Sequence, residues 1–128
     1  MRKKEIKYVP IQKGWYICHN QLIAHYRYII EGLRKIYGNT IEQIILYGSY
    51  ARGDYQNSSD VDILTLVNLN DDEIRNRKTA LADYTFDMEI EYGIEFSPIV
   101  VNSKMYYRTL DILPFYHNIQ KEGITLYE

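Results

Sequence analysis

Two aspartates, Asp60 and Asp62, stand inside an apolar run that otherwise reads as a buried strand. No other feature constrains the chain so tightly. In the stretch LYGSYARGDYQNSSDVDILTLV, residues 46–67, one apolar run ends at Gly48-Ser49. Ten residues later Asp60-Val61-Asp62 opens a second. On a strand, residues two apart share a face, with Cα atoms about 6.6–7 Å apart. The spacing therefore aims both carboxylates one way while Val61 and Ile63 enter the core. Two ionised carboxylates this close repel, and the sequence sets no obvious arginine beside either one. A divalent cation is the usual way to satisfy such a pair. Mg²⁺ suits one or two carboxylates completed by water and phosphate oxygens. Two such ions, about 3.5–4 Å apart, clamp the attacking and leaving oxygens of phosphoryl chemistry.

The Gly48-Ser49 turn supplies the complementary half. A glycine after a buried strand lets the backbone approach a ligand closely. Ser49 to Arg52 are helix-compatible, so N–H groups at a new helix start would face an anion in the same cleft, and the Ser49 hydroxyl adds a donor. A triphosphate gripped there would reach metal held by Asp60 and Asp62. Arg52 either steadies phosphates or pairs with Asp54. Ser59 either orients the loop before Asp60 or serves as a plain turn residue.

The remainder of the chain sets bounds. With 128 residues, 46% apolar and 25% charged, it has material for one globular core. A net charge of −2 predicts no general attraction to nucleic acid or anionic membrane. The single cysteine, Cys18, excludes an intrachain disulfide. No apolar run approaches the roughly 20 residues of a membrane span, and none of signal-peptide length follows the basic start. A soluble cytoplasmic domain is the expectation. Neither GxxxxGK[ST] nor GxGxxG occurs, so P-loop and dinucleotide folds have no support.

Residues 1–18 read as an irregular lead-in, with Trp15 as its anchor. Apolar residues at Leu22, Tyr26, Ile29, Leu33 and Ile36 predict an amphipathic helix over 20–37, stopped by Gly38-Asn39. Strands follow at 44–47 and 61–67. Asn70 with three acids after it opens a helix that the pattern carries unbroken to Tyr92. A third strand spans 94–101, its Pro98 marking an edge or bulge. Ser103 is expected to cap a short helix to about Leu110. Pro114 opens another, ending at Gly123 before a terminal strand or tail. The order describes an α/β (α+β) layer with a small sheet.

Gly48-Ser49, ten residues, then Asp60-x-Asp62 resembles the signature of the DNA polymerase β-like nucleotidyltransferase superfamily. The string LYGSYARGDYQNSSDVDIL is similar to its minimal nucleotidyltransferases, and EYGIEFSPIVV and KEGITLY extend the likeness more loosely. The resemblance implies a small mixed β-sheet flanked by helices, with residues 19–128 as one minimal nucleotidyltransferase domain. Gly48, Ser49, Arg52 and Ser59 would bind the nucleotide, while Asp60 and Asp62 would bind two Mg²⁺ ions. Members of this kind use a third carboxylate on a later strand to help bind the metal and activate the acceptor. Glu95, between Ile94 and Phe96, is the candidate; Glu89 and Glu91 fall on the preceding helix. The implied reaction moves a nucleoside monophosphate from ATP or another NTP to a hydroxyl and releases pyrophosphate.

The resemblance also implies that acceptor recognition comes from a partner, from self-association or from the short C-terminal elements, because the chain carries little beyond the core. Minimal members pair with HEPN proteins in toxin–antitoxin systems, where adding AMP to the toxin neutralises it. The first expectation is such an adenylylating antitoxin, with self-association as another source of acceptor contacts. The alternative is a nucleotide-binding module that masks its partner without catalysis. An antibiotic-modifying transferase is weaker, since nothing builds a pocket for one. Transfer to RNA ends is weaker again, given the acidic balance.

Overall fold

A computed structural model describes residues 19–56 and 59–128, with side chains from Tyr26 onward. The expected lead-in over 1–18 lies outside the described residues. Helix α1, His19–Tyr37, buries Tyr26, Ile29, Ile30, Leu33 and Tyr37, one stripe at helical spacing. Its end tightens into a 3-10 turn, Gly38–Thr40, where the Thr40 hydroxyl donates to the Tyr37 carbonyl at 2.6 Å.

Strand β1 is Ile41–Tyr47, starting three residues before the apolar run that marked it. The pairing register shifts between Ile41 and Gln43, so Glu42 and Gln43 belong to the strand without burying fully. The one-turn helix α2, Ser49–Arg52, precedes β2, Val61–Val67. Asn70 then caps α3, Asp71–Asn76, in a reciprocal box: Glu73 N–H donates to Asn70 Oδ1 at 2.9 Å, and Asn70 N–H to Glu73 Oε1 at 3.2 Å.

The single helix expected to Tyr92 is two helices. A break at Arg77 separates α3 from α4, Lys78–Tyr92. The Arg77 guanidinium donates to the Glu73 carbonyl at 2.9 Å, satisfying an acceptor near the end of α3. Helix α4 lies against α1 where Gly32 leaves room for the Tyr84 ring, whose hydroxyl donates to the Tyr28 carbonyl.

Strand β3 is Phe96–Asn102, followed by α5, Ser103–Thr109, then α6, Pro114–Glu122, and β4, Ile124–Tyr127. The cap of α5 is Asn102 rather than Ser103: its Oδ1 accepts from Met105 N–H at 3.0 Å while its Nδ2 donates to the Leu69 carbonyl at 2.7 Å. Ser103 is instead buried as the first helical residue.

The sheet order is β3-β2-β1-β4, with β2 and β3 parallel and the other pairs antiparallel. Pro98 accordingly lies on an edge strand. Alternation sorts the sheet into two faces. Ile44, Leu46, Val61, Ile63 and Phe96 join α1 and α4 in one core. Ile45, Tyr47, Leu64 and Leu66 join Tyr106 of α5 and Ile119 of α6 in the other. The result is the mixed sheet flanked by helices that the family resemblance implies.

Candidate active site

Period-two alternation puts Asp62 on the sheet face that carries α5 and α6, opposite Val61 and Ile63. Asp62 is the second residue of β2, paired with Tyr47 on β1 and Ser97 on β3. Asp60 stands one residue before the strand, exposed. The two aspartates therefore flank buried Val61, but only Asp62 is held by the sheet.

Gly48 adopts φ 75°, ψ −152°, a conformation open essentially to glycine alone. A Cβ at that position would collide with Asp62 Oδ2, so the missing side chain is what lets the carboxylate sit against the turn. The Gly48 carbonyl accepts from Ala51 and Arg52 N–H, both at 3.1 Å, closing α2. One turn of helix carries little macrodipole. Anion affinity at this turn therefore depends on local donors such as the Ser49 hydroxyl and the Arg52 guanidinium.

Tyr47, Gly48, Ser49, Arg52 and Asp62 line an open cleft of about 420 Å³. Its far wall is α6, through Phe115, Asn118 and Glu122. The Arg52 guanidinium donates to Asp54 Oδ2 at 3.2 Å and to Glu122 Oε2 at 3.3 Å, across the cleft. The pairing with Asp54, one of the two roles the sequence leaves open for Arg52, is thus present in a residue that also lines the cleft. The structure also supplies what the sequence did not show, an arginine near Asp62.

Charge in the site is unbalanced. Burial, then repulsion from Asp60, raises the Asp62 carboxyl above its ordinary value, and Arg52 opposes this. The Tyr47 phenol is pushed up to about 12, by burial and then by the Asp62 charge.

Glu95 lies in the connection before β3 rather than on the strand, and it is exposed. Its backbone carbonyl accepts from Val61 N–H at 2.9 Å, which registers it beside Asp60. Its carboxyl is raised by the charge of Glu89 first, and then by hydrogen bonding and charge from Asp60. The Ser97 hydroxyl donates to Asp60 Oδ2 at 3.3 Å. Among the described residues, no three of His, Cys, Asp and Glu form a complete metal cage. Ser59 is engaged elsewhere: its hydroxyl accepts from Gln56 N–H at 2.9 Å, and its own N–H donates to the Gln56 carbonyl at 3.0 Å. It does not line the cleft.

The donor set can be tested against the implied Mg²⁺ on the chemistry present. Asp62 puts a hard carboxylate against the Gly48 turn, and Asp60, outside the cleft lining, adds a second whose charge repels it. That fits an ion completed by substrate phosphates and water, and not an all-protein cage. Sequence reading had passed over Tyr47, Ser97, Phe115, Asn118 and Glu122. The last three share one helical face, but nothing local says which element that face meets.

Comparisons with known proteins bear on the family and the fold. A family model described as "Nucleotidyltransferase domain" matches residues 26–123. A Methanocaldococcus jannaschii protein named "putative protein adenylyltransferase" is 33% identical over 98 residues, 77% of this chain and 90% of its own length. Among solved structures, a toxin–antitoxin with AMP-PNP shares the fold at TM-score 0.52 and 19% identity, covering 79% of this chain and 71% of that one. A Sulfolobus solfataricus structure described as a "putative nucleotidyltransferase" shares it at TM-score 0.52 and 19% identity, covering 84% of each chain.

Proposed function

Because the chain belongs to the nucleotidyltransferase domain family, we propose that it transfers AMP from ATP to a hydroxyl of a partner protein, a HEPN toxin that it thereby silences. The observation that carries the reading is the Gly48–Asp62 apposition, which brings a metal-type carboxylate against a phosphate-type turn within one cleft. The relative named as a protein adenylyltransferase supports the acceptor class. The toxin–antitoxin structure with AMP-PNP supports the biological setting.

In this mechanism the triphosphate lies along the Gly48–Ser49 turn, where the Ser49 hydroxyl and Arg52 guanidinium hold its oxygens. Asp60 and Asp62 would hold Mg²⁺, which when bound neutralises phosphate charge and makes the α-phosphorus a better electrophile. The acceptor hydroxyl oxygen bonds to the α-phosphorus while the bond to the β-phosphate bridging oxygen breaks. Pyrophosphate departs with that electron pair. The acceptor proton goes to Glu95, whose raised carboxyl beside Asp60 suits a base better than an ordinary glutamate does. Ser97 keeps Asp60 oriented.

Two observations favour a second reading. Glu95 stands off the cleft, and no three-carboxylate cage forms among the described residues. A module that binds nucleotide and neutralises its partner by masking is consistent with both facts.

Intact-mass spectrometry separates the two readings. The protein is mixed with ATP, Mg²⁺ and its helical partner, beside an Asp60→Asn, Asp62→Asn double variant. AMP added to the partner by the wild type alone supports transfer. A stable complex without added mass favours masking.

A further inference from the structure

We infer that α6 is the wall of the cleft that reads the base, with Phe115 as a stacking surface and Asn118 as the group that selects adenine. The inference rests on the nucleotide reading above and adds to it the residues that recognise the adenine base.

Phe115, Asn118, Ile119 and Glu122 fall at i, i+3, i+4 and i+7, a single stripe of the helix. Ile119, 3% exposed, pins that stripe to the sheet, and its neighbours above and below line the cleft. The stripe rises about 10 Å from Phe115 to Glu122. It therefore runs from the Tyr47 side of the cleft to Arg52, which Glu122 contacts. A planar base and the phosphates it carries need separate stations, and the stripe provides a separation.

Phe115 is the first station. Its ring meets Tyr47 edge-on, with centroids 5.8 Å apart and planes at 88°, and 49% of the residue remains exposed. An edge-on contact leaves ring surface open, and an aromatic surface at the margin of a polar cleft is what a nucleobase stacks on. Tyr47 fixes the ring from behind and is itself buried.

Asn118 is the second station. It lies one helical turn further on, lines the cleft, and its amide has no hydrogen-bond partner among the described residues. A carboxamide presents one acceptor and one donor group side by side, which match the N6 donor and N7 acceptor of adenine. Guanine offers two acceptors on the same edge and cannot satisfy both halves. Pyrimidines lack N7 altogether. The cleft, about 420 Å³, falls within the size range of small-ligand sites.

The test is competition binding in the presence of Mg²⁺ with ATP, GTP, CTP, UTP and inorganic tripolyphosphate. It uses the full chain, Phe115→Ala, Phe115→Trp and Asn118→Ala. The wild type is expected to bind ATP about tenfold or more tighter than GTP. Phe115→Ala weakens all four nucleotides about tenfold, leaves tripolyphosphate unchanged, and is rescued by Phe115→Trp. Asn118→Ala brings the ATP-to-GTP ratio close to one. Equal affinity for ATP and GTP in the wild type overturns the assignment while tripolyphosphate binding keeps the phosphate site. So do variants that leave the nucleotide affinities unchanged. If neither tripolyphosphate nor any nucleotide binds, the nucleotide reading fails and takes the inference with it.

Discussion

Toward β1 and β4, Asp62 faces the Gly48 turn, Tyr47 and the stripe of α6; toward β3 it stands beside Ser97, with Asp60 and Glu95 beyond. The first flank has buried backing in Tyr47 and Ile119, and a glycine whose backbone only glycine adopts. The second consists of exposed carboxylates tied by a 3.3 Å hydroxyl contact, a backbone hydrogen bond and the hydrogen bond between Glu95 and Asp60. Groups locked by packing are preorganised for a ligand, whereas exposed ones must be ordered by whatever binds them. In the proposed reaction this divides the labour. The nucleotide meets a built cleft, and the acceptor side is completed only when the partner and metal arrive.

Glu95→Gln attacks the second flank alone and has the largest expected effect. Removing a general base lowers AMP transfer about 10²–10⁴-fold while nucleotide affinity holds. Single-turnover transfer alongside equilibrium ATP binding checks both halves. Transfer at the wild-type rate would remove Glu95 from the mechanism.

Gly48→Ala attacks the first flank. The added Cβ meets Asp62 in a backbone conformation hostile to alanine, so stability falls by about 1–3 kcal/mol in urea titration. Nucleotide binding falls with it, because Asp62 has to move. An unchanged urea midpoint would show that the turn has room which the geometry denies.

Alkaline pH tests the backing of the first flank. The Tyr47 phenol has an ordinary value of about 10 and is pushed up to about 12 in the fold. Its folded value is raised, so its contribution to stability is complete below about pH 10. That contribution disappears as pH rises through about 12, because the unfolded chain releases its proton first. Tyr26 and Tyr84, also raised by burial, act in the same direction. Tyr47→Phe should therefore flatten, without abolishing, the fall of Tm across that window. An identical slope would mean that the phenol is not held neutral.

Glu122→Gln probes the seam between phosphates and α6 and should change least. The Arg52–Glu122 pair is exposed and screened by solvent, so Tm barely moves. Removing a negative charge from the cleft and releasing Arg52 should tighten ATP binding several-fold by calorimetry. Weaker binding would mean that Glu122 positions Arg52 for the phosphates instead of competing with them.

Much of the fold was readable because it is written in short-range patterns. The α1 stripe, the β2 run, the Asn70 cap and the Pro114 start each depend on residues within a turn or two of one another. The errors lie where a side chain bonds to backbone that periodicity does not foresee, or answers a distant partner. Helix α3 stops because Arg77 folds back on the Glu73 carbonyl, and periodicity carries straight through that break. Asn102 displaces Ser103 as the cap because its amide also reaches Leu69, 33 residues away. Strand β1 begins early because β2 pairs Val67 with Ile41 and Leu66 with Gln43 around a bulge at Glu42, and the polarity of Glu42 and Gln43 hid the strand.

The candidate site divides the same way. Asp60-Val61-Asp62 states its geometry by itself, since alternation on a strand puts acids on one face and Val61 and Ile63 on the other. Gly48-Ser49 after an apolar run is equally local. That much the sequence by itself determined: the fold class, the two aspartates and the turn before them. Only the tertiary structure decided which of several acids, aromatics and amides would share their cleft. It placed Glu122 against Arg52 across 70 residues of chain, set Phe115 on Tyr47, and left Glu95 outside the cleft. The reason is physical: strand alternation and helix periodicity are short-range properties of the backbone. The meeting of β1 with α6 is set by Ile119 and Gly123 packing on Ile45 and Leu46, a contact that exists only once the sheet has formed.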